Sequence, residues 1–133
     1  MEKIDFCKML HISENVYDDI DTLCLPFLEF FNKNGLETAM CCEGHDNPTV
    51  YKFWVSFKKH ISDEDINNFI KKFPQPFYGK NNIHGKFMKI QFGYDANGND
   101  LSRWRYQCDL SCDYKMNQRL AYKDLEIFKK VLG

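Results

Sequence analysis

With 133 residues and a formal net charge of −1, the chain has room for one ordinary domain and carries no cationic excess. That balance argues against a nucleic-acid polymer as partner, and no apolar run approaches the ~18 residues of a membrane span. Aromatic content is the unusual number: 12 Phe, 7 Tyr and 2 Trp make up 16% of the sequence.

Ser13 is placed to cap a helix whose apolar residues Val16, Ile20, Leu23, Phe27 and Phe30 recur at steps of three and four. Glu14, Asp18 and Asp19 load its first turns with negative charge, as the helix dipole favours. Pro26 should kink or divide this helix, and Asn34-Gly35 should end it. A short strand is expected over about residues 37–42. After a loop, residues 50–57 alternate, with Tyr51, Phe53, Val55 and Phe57 on one face and Lys52, Trp54 and Ser56 on the other.

Ser62-Asp63-Glu64-Asp65 reads as a capping box with Asp where Glu is usual. It opens a helix burying Ile66, Phe69, Ile70 and Phe73, which Pro74 terminates. A loop rich in Pro, Asn and Gly follows. Within it, Tyr78-Gly79-Lys80 and His84-Gly85-Lys86 read as plain turns, since neither fits a phosphate-loop fingerprint. Met88, Ile90, Phe92 and Tyr94 then alternate with Lys89, Gln91 and Gly93, and residues 95–100 form a hairpin signal. In the returning strand Trp104, Tyr106, Cys108, Leu110 and Cys112 face one way; Arg103, Arg105, Gln107, Asp109 and Ser111 face the other. A last helix carries Ala121, Leu125, Phe128 and Leu132 as its stripe.

The order α-β-β-α-β-β-α is that of a single α+β domain over residues 1–133. Alternating strands imply a mainly antiparallel four-stranded sheet with helices on one face and a polar face opposite. That open face is expected to present Lys52, Trp54, Ser56, Lys89, Gln91, Arg103, Arg105, Gln107 and Asp109.

Met1-Glu2-Lys3-Ile4-Asp5 shows no secretory pattern, so the expected location is cytoplasmic, with Cys7, Cys24, Cys41, Cys42, Cys108 and Cys112 reduced. Cys108 and Cys112 stand ~13 Å apart on a strand, too far for one ion, and read as core. The densest chemistry is Cys41-Cys42-Glu43-Gly44-His45-Asp46. Cys42, Glu43 and His45 are candidates for a thiol- or metal-dependent hydrolase, and Cys41, Cys42 and His45 for a transition-metal site. The bland reading is a buried cysteine, a turn glycine and a loop histidine.

Gly35-Leu36-Glu37-Thr38 followed by Cys41-Cys42-Glu43-Gly44-His45 resembles a segment in small, mostly uncharacterised phage- and prophage-type proteins. There a helix ends in Gly, and a Cys-(Cys/Ser)-x-Gly-His run begins a hairpin. The resemblance implies a site at this loop and a phage-like provenance, with the host cytosol as the working compartment.

The leading expectation is a small binding protein for an anionic, nucleotide-like ligand, without a cofactor. In a phage setting it would sequester a nucleotide signal of host defence. Trp54 would stack a planar ring, Arg103 and Arg105 would fork onto phosphate, and Glu43 and His45 would close the pocket. Lys52, Lys89, Gln91 and Gln107 would line it. A second subunit would turn a shallow face into a pocket, which makes a homo-oligomer part of this expectation. The alternatives are the hydrolase and a protein inhibitor that docks a host enzyme through the polar face.

Overall fold

The helical content of the first third is broken into short pieces. The computed structural model describes residues 2–10, 12–18, 20–78, 82–91 and 93–133, with Tyr17 as backbone only. The expectations for Asp19, Gly79, Lys80 and Phe92 lie outside the described residues. Helix α1 spans Lys3–Leu10, α2 spans Glu14–Asp18, and a 3-10 turn over Thr22–Cys24 leads into α3, Leu25–Lys33. The continuous helix expected across this region is therefore corrected. Asp21 has φ −55° and ψ 121°, an extended conformation that stops the helix before the turn. Pro26 lies in the first turn of α3 and starts that helix instead of kinking one.

Four strands follow: β1 Thr38–Cys42, β2 Phe53–Phe57, β3 Lys86–Ile90 and β4 Arg103–Cys108, in the spatial order β1-β2-β4-β3 and antiparallel throughout. Helix α4, Asp63–Lys71, crosses between β2 and β3, and α5, Tyr114–Leu132, closes the chain. This is the α+β domain expected, with α3, α4 and α5 sending Phe31, Phe69 and Phe128 against the same face of the sheet. The α1–α2 arm leans on α3 and, with the outer side of β1, encloses an apolar cavity of about 730 Å³.

All eleven phenylalanines among the described residues are buried. Phe31 sits at the centre, with Phe57 edge-on at 5.1 Å and with Phe69, Phe87, Tyr106 and Phe128 around it. The aromatic excess is thus mostly packing: rings dominate the core and meet in tilted and edge-to-face pairs.

Helix α4 starts as expected. The Ser62 hydroxyl accepts from the Asp65 N–H at 3.2 Å, and the Asp65 carboxylate accepts from the Ser62 N–H at 2.9 Å. Four surface aspartates lie below the usual carboxylate range because hydrogen bonds favour their charged forms. The leading donors are the Trp104 indole for Asp63, the Ser62 N–H for Asp65, the Asn99 N–H for Asp95 and the Ser102 hydroxyl for Asp100. Depressed folded values stabilise above the unfolded aspartate pKa of about 3.9, and this contribution is lost as pH falls through the folded values. Urea unfolding should accordingly show a lower midpoint at about pH 3 than at about pH 7. An equal or higher midpoint in acid would contradict this.

Two strand assignments need correction. In β3, Phe87 pairs with Tyr106 and is the core residue, while Met88 and Ile90 stand opposite Arg105 and Arg103 on the open face. The expected face was inverted, because a shift of one residue moves every side chain to the other side. Strand β3 ends at Ile90, so Gln91 lies beyond it and Lys89 points to the helix side. There Lys89 reaches Asp63 at 3.2 Å, beside the Trp104 indole that donates to the same oxygen at 2.7 Å. In β4, pairing stops at Cys108. Leu110 is 65% exposed and Cys112 is exposed, so of the two cysteines read as core only Cys108 is. The reason lies in the next element: the residues after Cys108 turn to start α5, where Asp113 caps the Lys115 N–H and Asn117 accepts from the Ser111 N–H.

Candidate functional site

The open face is built from alternate residues of all four strands. Ser56 pairs with Arg105 and Trp54 with Gln107 across β2 and β4, and Met40 pairs with Ser56 across β1 and β2. Together with Leu101 and Arg103, residues Met40, Trp54, Ser56 and Arg105 line a cavity of about 480 Å³. That volume lies within the ~300–1,000 Å³ range of small-molecule pockets. Residues of one chain line this cavity.

Arg105 is the centre of this wall. Its guanidinium lies over the Trp54 ring at 4.1 Å from the centroid, and Nη1 donates to Gln107 Oε1 at 3.3 Å. Gln107 in turn donates to Asp109 at 2.8 Å, and Asp109 pairs with Lys86 at 3.3 Å. These contacts hold the guanidinium in one plane. Its Nε–H is buried and has no hydrogen-bond partner. Burial presses Arg105 below the ordinary arginine value. Among the described residues, no carboxylate stands within ion-pair distance of Arg103 or Arg105.

The other expected ligand residues fall elsewhere. Lys52 precedes β2, and its ammonium lies 5.9 Å from the Tyr51 ring centroid. Lys89 is on the opposite side of the sheet and Gln91 is outside it, as described above. Glu43 does not close the cavity. Its backbone carbonyl accepts from Gln118 at 3.0 Å, and it lines a separate depression with Leu23, Tyr114, Arg119 and Tyr122. Gln107 is on the expected face but buried, with 3% exposure.

The Cys41–His45 segment divides by the alternation of β1. Cys42 stands opposite Trp54 on the open face, whereas Cys41 stands opposite Val55 and meets the buried Cys24 thiol on the helix side. Cys41 is therefore not part of a group with Cys42 and His45, which corrects the expected metal trio. Asp21 takes the third place. Its carboxylate lies 3.4 Å from His45 Nε2 and accepts from the Glu43 N–H at 3.0 Å. Donor atoms of Asp21, Cys42 and His45 all lie within 4.8 Å of one another. Gly44 allows this turn: its φ is +82°, and a Cβ there would meet the Tyr51 carbonyl oxygen at 3.0 Å. Burial is the main influence on the Cys42 thiol and pushes it up, with the Gly44 N–H opposing. That direction is opposite to the depressed value of an activated nucleophile.

A further constellation went unrecognised in the sequence. Asp124 of α5 is fully buried and accepts from the His84 N–H at 2.8 Å, the Gly85 N–H at 2.7 Å and the Tyr106 hydroxyl at 2.7 Å. The His84 ring approaches through Nδ1 at 3.0 Å, and a carboxylate partner makes that nitrogen the protonated one. His84-Gly85 is therefore more than a plain turn. Gly85 also lets the Tyr106 ring approach, since a Cβ there would stand 2.6 Å from it. The nearest signal was Asp124 beside the apolar stripe of the last helix, but Glu126 flanks the same Leu125, so position alone did not single it out. Burial, with Asp124 next, raises the Tyr106 hydroxyl well above its ordinary value, and burial first of all pushes the neighbouring Cys108 thiol up to about 12.

Among the described residues, no helix is long and apolar enough to cross a membrane. No protein-family model, curated protein or solved structure matches the chain.

Proposed function

We propose that this chain is a binding protein for a small anionic ligand, nucleotide-like in combining phosphate with a planar ring, held in the cavity over the open sheet face. The observation that carries this reading is Arg105, a partly buried guanidinium with an unanswered Nε–H and no carboxylate beside it. An anion would supply both the missing charge and the missing acceptor. Arg103 adds a second guanidinium on the same wall, and two planar forks suit phosphate better than lysines do. Trp54 fixes the Arg105 plane by stacking and presents its remaining surface to a ring of the ligand. The phage-like Gly35–His45 segment supports a setting in which the ligand is a nucleotide signal of host defence and binding withdraws it.

Calorimetry against a panel of linear and cyclic nucleotides tests the reading. At least one is expected to bind more tightly than about millimolar, with Arg105→Ala weakening it at least about tenfold, or ~1.4 kcal/mol. Arg105→Lys keeps the charge but loses the stacked fork, so it should also bind poorly. No binder in the panel, or binding unchanged in both Arg103→Ala and Arg105→Ala, would refute the assignment.

A further inference from the structure

The trio at the end of β1 adjoins the arginine wall, since Cys42 stands opposite Trp54, but shares no residue with it and has its own chemistry. Asp21 arrives from the loop before the 3-10 turn, Cys42 from the last position of β1, and His45 from the loop after it. The fold thus joins the Asp21 carboxylate to a thiol and an imidazole more than twenty residues further along the chain. We propose that Asp21, Cys42 and His45 bind one divalent transition-metal ion of the zinc class, leaving a fourth position for water or an exogenous ligand.

The donor set is the first argument. A cysteine sulfur, a histidine nitrogen and a carboxylate oxygen are the three ligand types zinc takes, and a site with three protein ligands keeps one position open. Geometry is the second. Tetrahedral zinc at the usual ~2.0–2.2 Å bonds to oxygen and nitrogen sets those two atoms about 3.4 Å apart. His45 Nε2 and Asp21 stand at 3.4 Å. With all three donor atoms inside 4.8 Å, a shift of about 1 Å in the Cys42 side chain completes the triangle.

Preorganisation is the third argument. The Glu43 N–H fixes the Asp21 carboxylate at 3.0 Å. The His45 N–H donates to the Val50 carbonyl at 2.8 Å, which anchors the loop that carries the imidazole. Partners of this kind orient ligands and raise metal affinity. Access is not an obstacle, since the His45 side chain is 53% exposed and that of Asp21 29%. On binding, the Cys42 thiol loses its proton to solvent and the sulfur joins the ion as thiolate.

Cobalt(II) is the probe, added to reduced, metal-free full-length protein. The expected result is a thiolate-to-cobalt charge-transfer band that saturates at one equivalent and is displaced by zinc. Cys42→Ala should abolish the band, and Asp21→Asn or His45→Ala should weaken binding at least about tenfold. Cys41→Ala removes a thiol that meets Cys24 on the helix side of the sheet, away from the trio, and should leave the band in place. His45→Ala alters an exposed side chain and keeps the test decisive if Cys42→Ala folds poorly. In a parallel arm, zinc should raise the melting temperature of the parent chain and not of His45→Ala. Absence of a stoichiometric band would overturn the assignment. So would a band that survives Cys42→Ala, or that is lost in Cys41→Ala, or that His45→Ala leaves at full affinity.

Discussion

Asp124→Ala is expected to cost about 3–5 kcal/mol of stability, a large share of the ~5–15 kcal/mol that holds a domain together. The substitution removes one side chain and strands several donors. The His84 and Gly85 N–H groups and the Tyr106 hydroxyl all point at this carboxylate, which has no exposure to water. Each buried donor left without an acceptor costs about 1–3 kcal/mol, reduced where water can enter the space. Asp124→Asn should be nearly as damaging, because its amide turns two donors toward groups that are themselves donors. Tyr106→Phe, by contrast, removes one donor and leaves Asp124 with the others, so about 1 kcal/mol is expected. Urea unfolding of the three variants checks the ranking. A loss below about 1 kcal/mol for Asp124→Ala would show that the network contributes little.

Phe31→Ala should be comparably severe, at about 3–5 kcal/mol, for a different reason. No polar group is stranded; a ring is removed from the middle of a ring cluster. Phe31 has 0% exposure and lies within 5.1–6.4 Å, centroid to centroid, of Phe27, Phe30, Phe57, Phe69, Phe87, Tyr106 and Phe128. Rings from three helices and the sheet cannot all collapse into the space it leaves, so most of the cavity cost persists. Phe31→Leu retains much of the volume and should lose about half as much. Thermal unfolding followed by near-ultraviolet circular dichroism reports both the midpoint and the loss of fixed aromatic packing. A midpoint within about 3 °C of the parent for Phe31→Ala would mean that the cluster repacks freely.

Much of the fold could be read from the order of residues, and the failures share a cause. The α4 capping box, the Tyr114–Leu132 helix and the alternation of β2 and β4 were legible because each is a local pattern. Strand β3 was misread because Met88, Ile90, Phe92 and Tyr94 alternate convincingly, yet pairing with β4 chooses Phe87. Register is a contact between strands and is not carried by either one alone. The same limit applies to sites. Trp54, Arg103 and Arg105 share an alternation and could be grouped, but the stacking of Arg105 on Trp54 depends on how β2 and β4 align. Asp21 and Asp124 could not be linked to Cys42 or His84, because they stand 21 and 40 positions away in the sequence.

The strand order β1-β2-β4-β3 also leaves two sheet edges, which a second copy could extend by strand addition. They are guarded by different means. On β1 the flanking amides are already spoken for: the Thr38 N–H donates to Asn32 Oδ1 at 3.3 Å and the Glu43 N–H to the Asp21 carboxylate at 3.0 Å, while the α1–α2 arm stands alongside. On β3 the Phe87 N–H donates to the Tyr78 hydroxyl at 3.3 Å, and Lys86 and Lys89 stand on opposite faces, paired with Asp109 and Asp63. Asp21 thus carries two loads. It anchors the cysteine–histidine corner, and it occupies a backbone N–H just past the end of the β1 edge strand.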